Sequence, residues 1–250
     1  MKTEAQRRFR SKAEQILILV MVVAGAAALI SGCERKGANA ILSSEADPRA
    51  QPKSLQQVGA PIDMTRAAIP ADNPQTPEKI SLGQKLFFDR RLSVDGTVSC
   101  STCHDPAFAF TDRKPTSVGV QGRVGQRNAP TVLNALYNKT QFWDGRVNTL
   151  EELAALPIVN HVEMGHPNLD AAVAQIAAVK EYEQAFRAVF GRPVNGADLL
   201  RAIASYERTQ LLFDSPFDHF IAGDKNALTI PPSAVGSSST TRPAATNVMP

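Results

Sequence analysis

Apolar residues recur at helical spacing along most of the chain, and no stretch alternates convincingly with period two, so the pattern predicts a mainly α protein. Thr76 and Pro77 read as the N-cap and first residue of a helix. In it Ile80 and Phe87 share one face while Leu82 and Leu86 make a second, the mark of an element buried on two sides. Thr149 is expected to cap a short helix through Leu156, stopped by Pro157. Asn168 opens another, with Ala172, Ile176 and Val179 inward. A further helix carries Tyr182, Phe186 and Phe190 and stops at Gly191. Residues 197–211 are helical again, with Leu199, Ile203 and Tyr206 inward, and Ser215-Pro216 starts a last short one. Between these, 99–129 has many turn formers and little apolar periodicity and reads as loop.

Composition changes the picture at the two ends. Lys2, Arg7, Arg8, Arg10 and Lys12 precede an unbroken run of 15 apolar or small residues, Ile16 to Ile30, which leads into Ser31-Gly32-Cys33. That run is short for a membrane span and suits the core of an export signal. The Ile-Ser-Gly-Cys end resembles a bacterial lipobox, so residues 1–32 are expected to be a lipoprotein signal peptide and Cys33 its lipidation site. An uncleaved anchor helix is the alternative, and either way the remainder is exported. The expected location is the periplasm, on a membrane through the lipid anchor, with Glu34 permissive for the outer membrane. Residues 33–75, rich in Ala, Pro, Ser and Gln, read as a flexible tether. Residues 76–229 form the domain, and 230–250, rich in Pro, Ser, Thr and Ala, a disordered tail.

The leader also carries the net charge. Of 27 Lys and Arg it holds five, and of 24 Asp and Glu two, leaving 22 of each in the rest and a formal charge of zero instead of +3. No nucleic-acid partner is expected from that balance.

The chemistry-bearing motif is Cys100-Ser101-Thr102-Cys103-His104. Two thiols about one turn apart can add to the two vinyl groups of a porphyrin, and the following imidazole can coordinate the iron. One covalent haem c is the expected cofactor. A zinc site from Cys100, Cys103 and two of His104, His161 and His166 is the competing reading, at spacings that fit no compact zinc module. A thioredoxin-like disulfide lacks its βαβ context.

Around that motif lie Leu82-Gly83-Gln84-Lys85-Leu86-Phe87-Phe88-Asp89, Asp95-Gly96-Thr97-Val98-Ser99-Cys100, Arg127-Asn128-Ala129-Pro130-Thr131, Gln141-Phe142-Trp143-Asp144-Gly145-Arg146 and Val162-Glu163-Met164-Gly165. With these the chain resembles the bacterial di-haem cytochrome c peroxidases, and it is similar to their relative, the di-haem maturase of methylamine dehydrogenase. The likeness covers about Thr76 to Leu228.

The resemblance implies a cytochrome c-like haem domain with long loops around the haem. It implies reduction of hydrogen peroxide to water, with electrons from a small donor protein, a cytochrome c or cupredoxin. His104 matches the proximal iron ligand, Glu163 the distal acid–base residue, Trp143 the aromatic residue between the two haems, and Asn128 a calcium ligand. Two positions depart from the family. Val120 stands where many members carry a ligating His, and Leu153 replaces a Gln that accompanies the distal Glu. No second Cys-x-x-Cys-His occurs in the chain, so a separate second-haem partner is an expected complement. A mono-haem electron carrier and an inactive remnant remain as alternatives. The thioethers of Met64, Met164 and Met249 are the candidates for a carrier's second axial ligand.

Overall fold

The computed structural model describes residues 45–55, 57–58 and 69–228. The signal-peptide run, Cys33 and the 230–250 tail lie outside the described residues. Two compact units are distinguished: the larger holds residues up to Lys53 and Ala68–Gln210, and the smaller Ser54–Ala67 and Leu211 onward.

In the larger unit the helices are α1 (Pro77–Phe88), α2 (Cys100–Cys103), α3 (Leu150–Val159), α4 (Leu169–Ala177), α5 (Lys180–Phe190) and α6 (Gly196–Glu207). Among the described residues there is no strand, only the isolated bridges Asp105–Thr111, Val118–Val124 and Gln141–Val147. Local caps set the starts. Thr76, Thr149, Asn168 and Asn195 each accept a backbone N–H of the first turn, and α5 ends on Gly191 at φ 70°.

The core sits between α1 and α6. Gly83 makes their closeness possible, because a Cβ there would lie 1.9 Å from the Ala202 carbonyl oxygen. Leu82, Leu86, Ile158, Ile176, Phe186, Leu199 and Ile203 form one buried cluster. On the other face of α1, Phe87 and Phe88 meet Tyr206 and Phe110 edge-on or tilted, at centroid distances of 5.2–6.2 Å. The two apolar faces expected of α1 are therefore both used.

Two expectations are corrected. Helix α3 continues through Pro157 to Val159. A proline removes one N–H and strains the preceding turn, yet here Ile158 beyond it is buried in the core and the last turn is held by packing. The stretch read as a tether is also not free throughout. Ala50 is fully buried, its carbonyl accepts the Tyr206 hydroxyl at 2.8 Å, and Lys53 N–H reaches the Thr209 carbonyl at 3.1 Å. Asn73 is buried as well, donating to Glu151 at 2.6 Å and to the Arg201 carbonyl at 3.1 Å. Apart from Ala50 these anchors are polar, and most run through backbone carbonyls, so they leave no apolar periodicity to read.

The smaller unit contains α7 (Pro216–Ile221), capped by Ser215. Phe217, Phe220 and Ile221 of this helix are exposed.

Candidate functional site

A cavity of about 930 Å³ opens in the larger unit, near the top of the range for small-molecule and cofactor sites. Its walls bring together Cys100, Cys103, His104, Asn128, Trp143, Leu153 and Glu163. Residues spread over more than 60 positions of sequence thus face one space.

The thiols come from α2. The Ser99 N–H donates to Thr102 Oγ1 at 2.9 Å and the His104 N–H to the Cys100 carbonyl at 2.9 Å, so one helical turn carries both sulfurs and leads directly into the imidazole. Both cysteines are free. Burial pushes both thiols up.

His104 is fixed from behind. Its Nδ1 pairs with the Phe110 carbonyl at 3.1 Å, and the Pro130 carbonyl also acts on the ring. Burial lowers its pKa and keeps the ring neutral. With Nδ1 donating to the Phe110 carbonyl, Nε2 is the atom left to bind a metal. The turn that presents that carbonyl is strained: Ala109 and Phe110 both lie in the left-handed region, at φ 56° and 58°. Packing holds it, since Phe110 is buried against Phe87.

Glu163 lies in the turn after α3. Asn160 organises that turn: its Nδ2 donates to Glu163 Oε1 at 2.7 Å, its Oδ1 accepts the Val162 N–H at 2.9 Å, and its carbonyl accepts Glu163 N–H at 3.1 Å. Burial raises the Glu163 pKa, with Arg146 and the Asn160 bond pulling it back. The loop at Gly119 locks the turn from the other side. A Cβ at Gly119 would meet the Val162 carbonyl at 2.0 Å, and the Val120 N–H donates to the Glu163 carbonyl at 2.9 Å.

Trp143 is 63% exposed and donates its indole N–H to the Asn128 carbonyl at 3.1 Å. It is a rim residue and not a core tryptophan. Beside it Arg127 and Arg146 both pair with Asp144, at 2.8 and 2.9 Å, holding that carboxyl at about 2. The Arg146 guanidinium lies over the Phe142 ring, 3.4 Å from its centroid.

Val120 is fully buried within the α1–α6 core cluster. Leu153 contributes an apolar wall where the resembled family has an amide. His161 is on the cavity wall but exposed, and His166 is buried away from it. Among the described residues no group of three or more His, Cys, Asp and Glu is placed to hold a metal ion, which removes the zinc reading. None of the described acidic residues forms such a group beside Asn128.

Sequence reasoning missed Glu207, which also lines the cavity. A clue was present: Glu207 follows Ile203 by four positions on α6, and both stand on the stripe that faces inward.

Two free thiols, a neutral imidazole with its Nδ1 already engaged, and a large open-mouthed cavity form a set that fits a covalently held haem. The class this defines is a c-type haem domain. Residues 77–226 match the model of the di-haem cytochrome c peroxidase family, and the chain belongs to that family. It is 41% identical over 161 residues to the cytochrome c peroxidase Ccp of Escherichia coli K12, covering 64% of this chain and 35% of that one. It is 44% identical over 158 residues to the cytochrome c551 peroxidase of Pseudomonas aeruginosa, covering 62% and 45%. Among solved structures it is similar to a MauG-like protein associated with microbial copper homeostasis, with 35% identity, a TM-score of 0.58, and coverage of 65% and 50%. The chain thus spans half or less of the length of these relatives. Family membership brings haem c as the cofactor, and the mainly α architecture agrees with the fold of these proteins.

Proposed function

We propose that this chain is the peroxide-reacting domain of a cytochrome c peroxidase, which carries one covalent haem c and reduces hydrogen peroxide to water. The observation that carries this reading is the shared cavity: both attachment thiols, the imidazole of His104 and the carboxyl of Glu163 face it. Haem, when bound through Cys100 and Cys103, supplies the iron that accepts the oxidising equivalents of peroxide.

The chain's own residues do the rest. His104 offers Nε2 to the iron, and its Nδ1 bond to the Phe110 carbonyl raises the basicity of the ring. Glu163, ionised, takes a proton from one peroxide oxygen and returns it to the leaving oxygen. Its burial keeps the carboxyl a workable acid as well as a base. Asn160 aims it. Leu153 and the cavity's other apolar side chains line the space around it. Overall, hydrogen peroxide, two electrons and two protons give two waters. The electrons come from a small donor protein, a cytochrome c or cupredoxin. A second haem would relay them, and exposed Trp143 is the residue through which they enter.

The leader supports export to the periplasm and lipid attachment at Cys33, to the outer membrane as Glu34 permits. A calcium ion at Asn128 would draw its other ligands from outside the described residues.

One observation favours a second reading, an electron-carrying cytochrome. Met164 is buried on the same cavity wall, next to Glu163, where its thioether would be available as a further ligand to a bound haem. Stopped-flow mixing of the ferric protein with peroxide separates the two. A rapid spectral change is expected from the peroxidase. A low-spin spectrum that peroxide leaves unchanged establishes the carrier instead.

A further inference from the structure

Glu207 is the last residue of α6, and the proposed chemistry does not use it. It is only 7% exposed, lines the cavity, and its Oε2 is buried with no hydrogen-bond partner. An unpaired carboxylate in such a place is costly, and taking up a proton is the ordinary escape.

No cation pairs with it, although the charge of neighbouring Arg208 opposes the effect of burial. Arg208, the next residue, is turned to Glu151 at 2.7 Å, and its Nη1 is left without a partner too. Lys79 on α1 is occupied by Asn73 and the Pro74 carbonyl, at 2.8 and 2.7 Å. Arg201 pairs with Asp198 and Asp72 at 3.3 and 3.2 Å. Glu151 on α3 adds negative charge, and from α2 the neighbour is the Cys100 thiol. The remaining titratable and charged groups of the cavity are Cys103, His104, Glu163, His161, Arg127, Asp144 and Arg146.

We propose that Glu207 is a proton-binding site of the haem cavity whose occupancy is coupled to the charge on the cofactor. As the cofactor gains one electron from a one-electron reductant, the Glu207 carboxylate takes one proton from solvent onto its side-chain oxygen. On oxidation it releases that proton. No bond to the cofactor forms. The physical cause is that a single added charge is poorly screened against a largely apolar lining, so proton and electron favour each other. Burial pushes the carboxyl up to about 8, which places the exchange near neutral pH.

This proposal rests on the haem reading, and one experiment on the intact holoprotein separates their failures. The midpoint potential is titrated with electrode mediators across a pH series. The wild type is expected to lose potential as pH rises through the region near 8, by up to about 59 mV per tenfold change in proton activity. Glu207→Gln is expected to flatten that slope, while Glu163→Gln retains it. A haem-stained denaturing gel checks each preparation. If no stain follows the chain, the haem reading and this proposal fall together. A stained wild type with a flat profile, or a slope that survives in Glu207→Gln, overturns the Glu207 assignment alone. Should Glu207→Gln not fold, redox-difference infrared spectra of the Glu163→Gln protein decide. A D₂O-sensitive protonated-carboxyl band that changes with redox state is expected, and its absence overturns the proposal.

Discussion

Asn160 donates its side-chain amide to Glu163 Oε1 at 2.7 Å, three residues away, and the same side chain caps the Val162 N–H at 2.9 Å. One residue thereby shapes the turn, aims the carboxyl and steadies its ionised form. Asn160→Ala should therefore shift the Glu163 pKa further up. The acid limb of the pH–rate profile for the peroxide reaction is expected to move to higher pH. An unmoved limb would separate Asn160 from the chemistry.

Glu163→Gln removes the proton carrier and keeps the shape. The rate of the first spectral change with peroxide should fall roughly a hundred-fold to ten-thousand-fold, the usual weight of a general acid–base. Stopped-flow mixing measures it, and an unchanged rate assigns the proton transfer to another group.

Cys100→Ala with Cys103→Ala should abolish haem staining on a denaturing gel. Neither sulfur is in a disulfide, so no cross-link is lost. Haem that washes out of the unaltered protein under acid–acetone extraction would show that attachment is not covalent.

Gly83→Ala tests the packing that positions the site. Its new Cβ would lie 1.9 Å from Ala202 O, a backbone atom that cannot swing away. A loss of roughly 1–3 kcal/mol or more is expected from such overpacking, read from the midpoint of denaturant unfolding. By contrast Trp143→Ala, at a 63% exposed position, should stay within about 0.5 kcal/mol while slowing re-reduction by the donor protein.

His166 gives stability a pH dependence. Burial lowers its pKa, against an opposing hydrogen bond at Leu92, and its Nε2 has no partner. A base whose folded pKa is depressed contributes fully above its unfolded value, about 6.5. That contribution is lost as pH falls from there toward the lower folded value, where unfolding takes up the proton. Thermal unfolding of the wild type at pH 7.5 and 5.5 should show this loss, and His166→Gln should show less of it. Equal losses in both would place the acid sensitivity elsewhere.

Much of this protein was open to reading in one dimension. The helix starts at Thr76, Thr149, Asn168 and Ser215 are local events, in which a side chain caps a turn three residues away. Leu199, Ile203 and Tyr206 all face the core because a 3.6-residue period forces them onto one side. The Cys100–His104 motif is equally local, since one helical turn sets the spacing of its thiols and imidazole. Other features needed contacts that no local pattern encodes. Helix α3 passes Pro157 because Ile158 beyond it finds a core to enter. Residues near Ala50 and Asn73 look like a linker, and only distant Tyr206, Glu151 and Arg201 hold them. Trp143, whose type suggests a core residue, stands at an exposed rim. Glu207 became a cavity acid only when α6 was laid against α1 and α3 and Arg208 was drawn off to Glu151. The sequence by itself determined the helices, their caps and the cofactor motif, since these depend on neighbours within a turn or two. The tertiary structure alone decided which distant side chains share the cavity and which charges there go unpaired, because burial and pairing are properties of the assembled chain.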